Sequence, residues 1–177
     1  DVMIGDKGGW VESEDNLSHK GNCWIYDEAK VYDDAKVYDD SQVFGFSQVY
    51  GSAQVCGRSQ VYCYSQVFEF SQIYDNSKVY GSSRIYGNSK VFGNSQVCDY
   101  AQIYGYAEVY GYAFIYGNAK ILGNVEVYGN AEIRGDAVIQ SVSDYIVFKN
   151  SWSSGRFFTW TRSNNMWKVG CFYGTSE

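Results

Sequence analysis

An aliphatic residue recurs at every sixth position through most of this chain, and no other feature restricts the fold as strongly. The repeat runs from Ile25 to Ile133 as nineteen hexads without an insertion, and an imperfect copy follows at Ile139. Two places before the aliphatic residue the chain has Ala or Ser almost throughout, with Val125 as the main departure. An α-helix cannot keep a six-residue step on one face, because it turns every ~3.6 residues. The period therefore predicts short strands joined by sharp corners.

Side-chain alternation gives each predicted strand an inside and an outside. The aliphatic residue and the small residue two places before it face one way, and the two neighbours of the aliphatic residue face the other way. The outside thus receives Lys, Gln or Glu and then usually Tyr. The Gly or Asp that mostly follows, and the frequent Asn or Asp after it, tolerate the left-handed backbone of a tight corner. Three hexads would close one triangular coil, which predicts an all-β solenoid of about six coils, each paired to the next.

The composition fits this fold and restricts the partners. The 177 residues include no proline, as expected where strands with two neighbours need every backbone N–H as a donor. No apolar run approaches the roughly 18 residues that cross a bilayer, so no membrane partner is expected. The net charge of −6 argues against nucleic acid as a partner, since non-specific binding needs a basic surface. The five cysteines lack a metal-type spacing, which predicts free thiols in a reducing cytoplasm.

The repeat resembles that of the hexapeptide-repeat family, in which an aliphatic residue, three variable positions and a small residue recur. The resemblance covers Ile25 to about Ile139 and implies a left-handed parallel β-helix. This chain departs from the family in the Tyr after the aliphatic residue, where the family usually has Gly, Ala, Asp or Glu. We therefore predict three parts: an N-terminal cap at residues 1–24, the solenoid at 25–139 and a small antiparallel β tail at 140–177.

The two ends of the chain carry further motifs. The opening segment contains GDKGGWVESEDNLS and is predicted to cap one open end of the solenoid. The tail contains DYIVF, RFFTWTR and WKVGCF, which we predict as three antiparallel strands with a hairpin turn at residues 163–165. Together these motifs resemble short hexapeptide-repeat proteins of bacterial and prophage genomes. That resemblance implies a phage or prophage gene whose product acts in the bacterial cytoplasm, and it implies no activity.

The chain lacks the residues of the obvious enzymatic functions. Many left-handed β-helices resemble acyltransferases, which use a histidine as general base at a subunit boundary. The only histidine is His19, in the predicted cap, and no loop interrupts the coils to enclose a substrate. One histidine cannot supply a zinc site of three imidazoles, and Cys171 has no adjacent base to make it a nucleophile. We therefore predict no enzyme, no catalytic residue, no metal and no cofactor.

Aromatic residues form the candidate binding surfaces. The outward position after the aliphatic residue is aromatic in fifteen of nineteen hexads, which predicts columns of neighbouring rings. Six more aromatic residues stand at corner positions, where the fold asks only for Asn or Asp and where exposed rings tend to mark interfaces. The predicted contact residues are Phe44, Phe46, Tyr62, Tyr64, Phe70, Tyr100, Tyr106 and Tyr112 in the solenoid and Trp152, Trp160 and Trp167 in the tail.

These surfaces favour a non-catalytic binding or assembly protein whose partner is another protein or a second copy of the chain in a homo-oligomer. The prophage resemblance implies a more specific form, an effector that sequesters a host protein or ligand. Two alternatives stay open. One is a structural subunit that stacks end to end, and the other is a degenerate hexapeptide acyltransferase.

Overall fold

The computed structural model describes residues 7–151 and 155–175 and confirms a parallel β-solenoid followed by a small antiparallel sheet. Three parallel sheets form the sides of the solenoid. Sheet 1 contains Trp10–Val11, Lys30–Val31, Gln48–Val49, Gln66–Val67, Arg84–Ile85, Gln102–Ile103, Lys120–Ile121 and Val138–Ile139. Sheet 2 contains Leu17–Gly21, Lys36–Asp39, Gln54–Val55, Gln72–Ile73, Lys90–Val91, Glu108–Val109 and Glu126–Val127. Sheet 3 contains Trp24–Ile25, Gln42–Val43, Gln60–Val61, Lys78–Val79, Gln96–Val97, Phe114–Ile115 and Glu132–Ile133.

The winding starts earlier than the repeat and gives about seven coils instead of the expected six. Trp10–Val11 pairs with Lys30–Val31, and Leu17–Gly21 pairs with Lys36–Asp39. Val11 stands opposite Val31 and Leu17 opposite Val37, so both occupy the aliphatic position of the repeat. A short 3₁₀ helix, Glu14–Asn16, lies between Val11 and Leu17, which keep the six-residue spacing. The sequence hides this coil because Leu17 and Ile25 are eight residues apart, and the pairing register shifts between Leu17 and Gly21. The opening segment therefore forms the first coil at the N-terminal end of the solenoid.

The core is the stack of inward residues predicted from the alternation. The aliphatic residues from Ile25 to Ile139 are at most 2% exposed, while Tyr50 and Tyr86 lie outside. Each inward serine from Ser41 to Ser95 donates its hydroxyl to a backbone carbonyl, so these buried hydroxyls are paired. Ser71 Oγ, for example, lies 2.8 Å from Phe68 O and 3.3 Å from Ile85 O. Ala takes the same position where the hydroxyl is absent.

The tail folds as a four-stranded antiparallel sheet, here called the tail sheet. Its strands are Tyr145–Lys149, Phe157–Thr161, Met166–Val169 and Phe172–Gly174, and a second 3₁₀ helix, Val142–Asp144, precedes them. The predicted hairpin turn is confirmed, since Thr161 pairs with Met166 across it. Three strands were predicted where four exist, because the chain reverses at Gly170, with φ of +55°, and splits WKVGCF into two strands.

The tail sheet closes the C-terminal end of the solenoid. Thr159 Oγ1 accepts from the Glu132 amide at 3.0 Å, and Ser163 Oγ accepts from the Val138 amide at 2.7 Å. The Tyr145 hydroxyl donates to Glu126 O at 3.1 Å. These contacts satisfy edge groups on all three sides of the last coil. Within the described residues, no helix is long and apolar enough to cross a membrane.

Candidate functional site

Three ladders of aromatic rings run along the outer faces of the solenoid. Ladder 1, on sheet 1, consists of Tyr32, Tyr50, Phe68, Tyr86 and Tyr104. Ladder 2, on sheet 2, consists of Tyr38, Tyr74, Phe92, Tyr110 and Tyr128, with Cys56 in place of one ring. Ladder 3, on sheet 3, consists of Tyr26, Phe44, Tyr62, Tyr80 and Tyr116, with Cys98 in place of one ring. Most neighbouring rings stack with centroids 4.7 to 5.4 Å apart and so stabilise the coils. The ladder rings are half-buried except Tyr128, which is exposed.

Several phenols of the ladders have a raised pKa. Burial raises the pKa of Tyr32, Tyr50 and Tyr62 above the ordinary value. A 2.7 Å hydrogen bond to the Glu126 carboxylate, together with burial, raises the pKa of Tyr110 to about 12. The outer walls therefore present uncharged hydroxyls that can still form hydrogen bonds.

The corner rings are the most exposed aromatic residues of the solenoid. Phe46, Tyr64, Phe70, Tyr100, Tyr106 and Tyr112 are each 55 to 66% exposed. Phe46 and Tyr64 stack on one corner with centroids 5.1 Å apart. Tyr100 lies further along that same corner, beyond Ser82, because its strand belongs to the same sheet. The corners therefore carry a row of three rings, a row of two and one single ring.

The tail sheet carries a larger apolar surface than any corner. Two cross-strand rows run over its outer face, one through Ile146, Trp160 and Trp167 and one through Phe148, Phe158, Val169 and Phe172. Phe148 and Phe158 stack at 4.8 Å, and the centroids of Trp160 and Trp167 are 6.4 Å apart. Ile146, Phe148 and Phe172 are 45 to 52% exposed. We call these seven residues the tail face.

Strand alternation explains why this face is apolar on the outside. Thr159 and Thr161 are buried toward the solenoid, and Tyr145 and Val147 pack against its core. The residues between them must then point away from the solenoid. A contiguous exposed apolar surface of this kind is typical of an interaction site.

The structure gives the predicted contact residues different surroundings. Phe44 and Tyr62 belong to ladder 3 and are half-buried, whereas the six corner residues are exposed. Trp160 and Trp167 lie side by side on the tail face, and Trp152 lies outside the described residues. The sequence interpretation missed Ile146, Phe148, Phe158, Val169 and Phe172. Their signal was present, since DYIVF and RFFTWT place an apolar residue at every position of the outer face.

The two ends of the molecule differ in charge. Residues 10–40 contain Glu12, Glu14, Asp15, Asp27, Glu28, Asp33, Asp34, Asp39 and Asp40 against three lysines. The tail contains Lys149, Arg156, Arg162 and Lys168 against Asp144 and Glu177. Trp10 and Val11 are exposed beside the acidic residues. An acidic end with an exposed ring thus faces away from a basic end with an apolar sheet.

His19, the only histidine, lines a surface groove with a volume of about 590 Å³. Cys23, Trp24 and Tyr26 line it as well. Burial raises the pKa of the Cys23 thiol, and its Sγ lies 3.2 Å from Ser18 O. In the part of the chain that the structure describes, no three His, Cys, Asp or Glu side chains form a metal-binding group.

The fold and its surfaces define a parallel β-solenoid of the hexapeptide type with aromatic outer walls. No protein-family model matches the chain. A stretch of 31 residues, 18% of this chain, is 48% identical to a protein of Escherichia coli (strain K12) named "Uncharacterized acetyltransferase YdcK". The chain spans only 10% of the length of that protein. The similarity fits a shared hexapeptide repeat.

Proposed function

We propose that this protein is a non-catalytic binding and assembly module, and that its main contact surface is the tail face. The observation that carries the proposal is the pair of cross-strand apolar rows, with Trp160 and Trp167 in one and three phenylalanines in the other. Tryptophan and phenylalanine are enriched at protein interfaces because they bury large areas and lose little rotamer entropy. The sheet holds these side chains in fixed rows, so little ordering cost remains on association.

The occupant that the charges favour is the acidic end of a second copy of this chain. The tail carries basic side chains such as Lys149 and Arg162, both exposed. Two tail faces in contact would bring these like charges together, whereas residues 10–40 offer carboxylates and the exposed Trp10. Such a contact joins different surfaces of the two copies and is repeated along the assembly. The corner rings provide a second contact surface along the sides.

Light scattering during gel filtration tests this proposal at several protein concentrations and salt concentrations. We expect a mass above the 20.0 kDa of one chain that grows with concentration and falls with added salt, because salt screens opposite charges. The triple variant Ile146→Thr, Phe148→Thr and Phe172→Thr replaces exposed residues with a good strand former and should give the monomer with an unchanged circular dichroism spectrum.

A matched set on the solenoid separates the two surfaces. Phe46→Asn, Tyr64→Asn and Tyr100→Asn remove three exposed rings from one corner and introduce the residue that other corners already use, as at Asn88. We expect this variant to keep the end-to-end mass. A wild-type protein that is monomeric at every concentration would contradict the assembly. A mass that rises with salt would instead indicate contact between two tail faces.

Acyl transfer is a second candidate, because His19 lines a groove and the chain shares a short similarity with a protein named as an acetyltransferase. A histidine beside a groove could act as a general base toward an acyl acceptor. Thiol release from acetyl-coenzyme A, compared between the wild type and His19→Ala, tests it. Activity that depends on His19 would favour this function over the non-catalytic one.

A further inference from the structure

Ladder 2 lacks one aromatic ring, because Cys56 occupies the position between Tyr38 and Tyr74. Tyr74 stacks on Phe92 at 4.7 Å on one side, and its other neighbour along the ladder is Cys56. On the far side of Cys56 stands Tyr38, whose hydroxyl donates to Gln54 Oε1 at 3.2 Å and lies within hydrogen-bond reach of the Cys56 thiol. The two tyrosines are two coils apart, which corresponds to about 9.6 Å at the usual strand spacing.

A groove of about 320 Å³ occupies this gap. Tyr38 and Tyr74 stand at its two ends, Cys56 forms the floor, and Gln54 and Gln72 flank it on one side. A planar ring stacked on Tyr74 at the usual strand spacing would lie about 4.8 Å from that ring. That spacing matches the 4.7 to 5.0 Å between intact neighbours in the ladders. The groove therefore has the dimensions of one missing ring of the ladder.

The edge of the groove is negatively charged. Asp39 and Asp75 line it. One carboxylate oxygen of Asp39 accepts a hydrogen bond from the Gly57 amide at 3.2 Å, and one of Asp75 accepts from the Gly93 amide at 3.1 Å. The pKa of the Cys56 thiol is raised, first by burial and also by the charges of Asp39 and Asp75, while the Tyr38 hydrogen bond lowers it. Both carboxylates therefore act on the floor of the groove. Arg58 follows at the corner and does not line it.

From this geometry we infer that the groove at Cys56 is a binding site for a planar aromatic cation, which stacks on Tyr74 as an additional rung of ladder 2. The ligand's ring replaces the missing side chain, and Asp39 and Asp75 hold its positive charge. Binding is non-covalent, since the raised pKa keeps the thiol protonated near neutral pH. The site is separate from the tail face and from the exposed corner rings, so it goes beyond the proposed function.

Cys98 provides an internal comparison, because it takes the same position in ladder 3. Its side chain is only 5% exposed, whereas Cys56 is half-buried. The ring of Phe114 stacks on Tyr116 at 4.4 Å, and the Arg134 guanidinium lies 5.0 Å from the centroid of that same ring. Arg134 stands one coil beyond Tyr116, as Phe92 does beyond Tyr74, so the neighbour that Tyr74 lacks is Phe114, and a missing ring alone does not make a site.

Fluorescence anisotropy with proflavine, a planar tricyclic cation, tests the inference on the full chain. Cys56→Phe fills the gap with a residue that the ladders already use, and it should weaken proflavine binding by about tenfold or more while raising the melting temperature. Tyr74→Leu removes the stacking surface without filling the gap and should weaken binding to a similar degree. Cys98→Ala is the control and should leave the affinity unchanged.

The role of the two carboxylates and of the ligand's positive charge is tested separately, by binding affinity. Asp39→Asn with Asp75→Asn should weaken proflavine binding several-fold, and Asn tolerates the left-handed backbone at both positions. Anthracene-9-carboxylate, a planar tricyclic anion, should bind the wild type at least about tenfold more weakly than proflavine does. If a folded Cys56→Phe protein binds proflavine as the wild type does, or if both dyes bind equally, the inference is wrong. Intact binding by Tyr74→Leu would also overturn it.

Discussion

At the scale of single residues, each larger side chain at a corner of the solenoid is followed by glycine on the next coil. Every corner turns on a residue with positive φ, and seven of these in the solenoid are not glycine: Asp27, Asp33, Asp39, Cys63, Glu69, Asp75 and Asp99. Each of them has glycine at the same position of the next coil. The carboxylates use this arrangement, since Asp27 Oδ2, for example, accepts from the Gly45 amide at 3.1 Å. Hydrogen bonds between coils thereby partly offset the cost of the left-handed backbone at these aspartates.

Gly81→Ala and Gly129→Ala form a matched pair that tests this packing. Both glycines have positive φ, so each substitution should cost about 1–2 kcal/mol from the left-handed backbone alone. A Cβ at Gly81 would lie 2.6 Å from the Asp99 amide nitrogen, whereas a Cβ at Gly129 meets nothing within 4 Å. We therefore expect Gly81→Ala to cost a further ~1–3 kcal/mol through overpacking. Urea unfolding measures both, and equal losses would show that coil contact adds nothing.

At the scale of elements, the tail sheet is the end closure of the solenoid. An open last coil would leave a row of unpaired N–H and C=O groups that invite association with other strands. Here side chains from the tail sheet meet these groups, and Lys168 forms an ion pair with Glu132 at 2.9 Å. One face of the tail sheet closes the solenoid, which leaves its other face for contacts with other molecules.

Thr159→Val tests the closure and Thr161→Val is its control on the same strand. Both threonines are buried, but Thr159 Oγ1 accepts from the Glu132 amide, whereas Thr161 Oγ1 donates to Asn164 within the tail. Thr159→Val should cost about 1–3 kcal/mol and should speed hydrogen exchange of the Glu132 amide, because that N–H is left without an acceptor. Thr161→Val should leave this exchange rate unchanged. Equal protection of Glu132 in both variants would contradict the closure.

At the scale of the whole molecule, three aromatic ladders and one continuous core run along a stack of coils that share the same hexad pattern. Stability in such a repeat is approximately a sum of terms between neighbouring coils. The stacked tyrosines of the ladders contribute to these terms between neighbouring coils. Burial raises the pKa of Tyr50, Tyr74 and Tyr86 among others. The protein should therefore be sensitive to alkaline pH.

The sign of the pH effect follows from proton binding. Tyrosines of the unfolded chain titrate near a pKa of about 10, while Tyr50, Tyr74 and Tyr86, whose pKa burial raises, keep their protons to higher pH in the folded chain. Above pH ~10 the unfolded chain thus binds fewer protons, and the free energy of unfolding falls as pH rises through the raised pKa values. We expect a melting temperature that is steady up to pH ~9 and then drops, as followed by circular dichroism and phenolate absorbance.

Tyr110→Phe is the matched variant for this prediction. Tyr110 has a pKa of about 12 because its hydroxyl bonds to Glu126, and Phe keeps the ring in ladder 2 while removing the titrating group. The alkaline fall in melting temperature should become shallower in the variant. A melting temperature that stays constant after phenolate has formed would contradict the linkage.

The hexad period by itself determined the solenoid, its core and its ladders. These features follow from local rules, since alternation places Val49 inside and Tyr50 outside whatever the neighbouring coil contains. The same rules placed Phe46 and Tyr64 next to each other on one corner, because every third hexad returns to the same side. The first coil was missed because the step from Leu17 to Ile25 is eight residues instead of six, so that only pairing with Lys30–Val31 and Lys36–Asp39 reveals it.

Tertiary structure alone decided the surfaces on which the proposals rest. The tail sequence contains alternating apolar residues, but which face turns outward depends on the contacts of Thr159 and Ser163 with the last coil. Cys56 and Cys98 are equivalent in the repeat, yet Phe114, on the strand next to Cys98, stacks on Tyr116, whereas a groove remains beside Cys56. Periodicity specifies what each residue faces within its own strand. Neighbours that lie far apart in sequence set the accessibility of a side chain, and this is why only the folded chain shows the tail face and the groove.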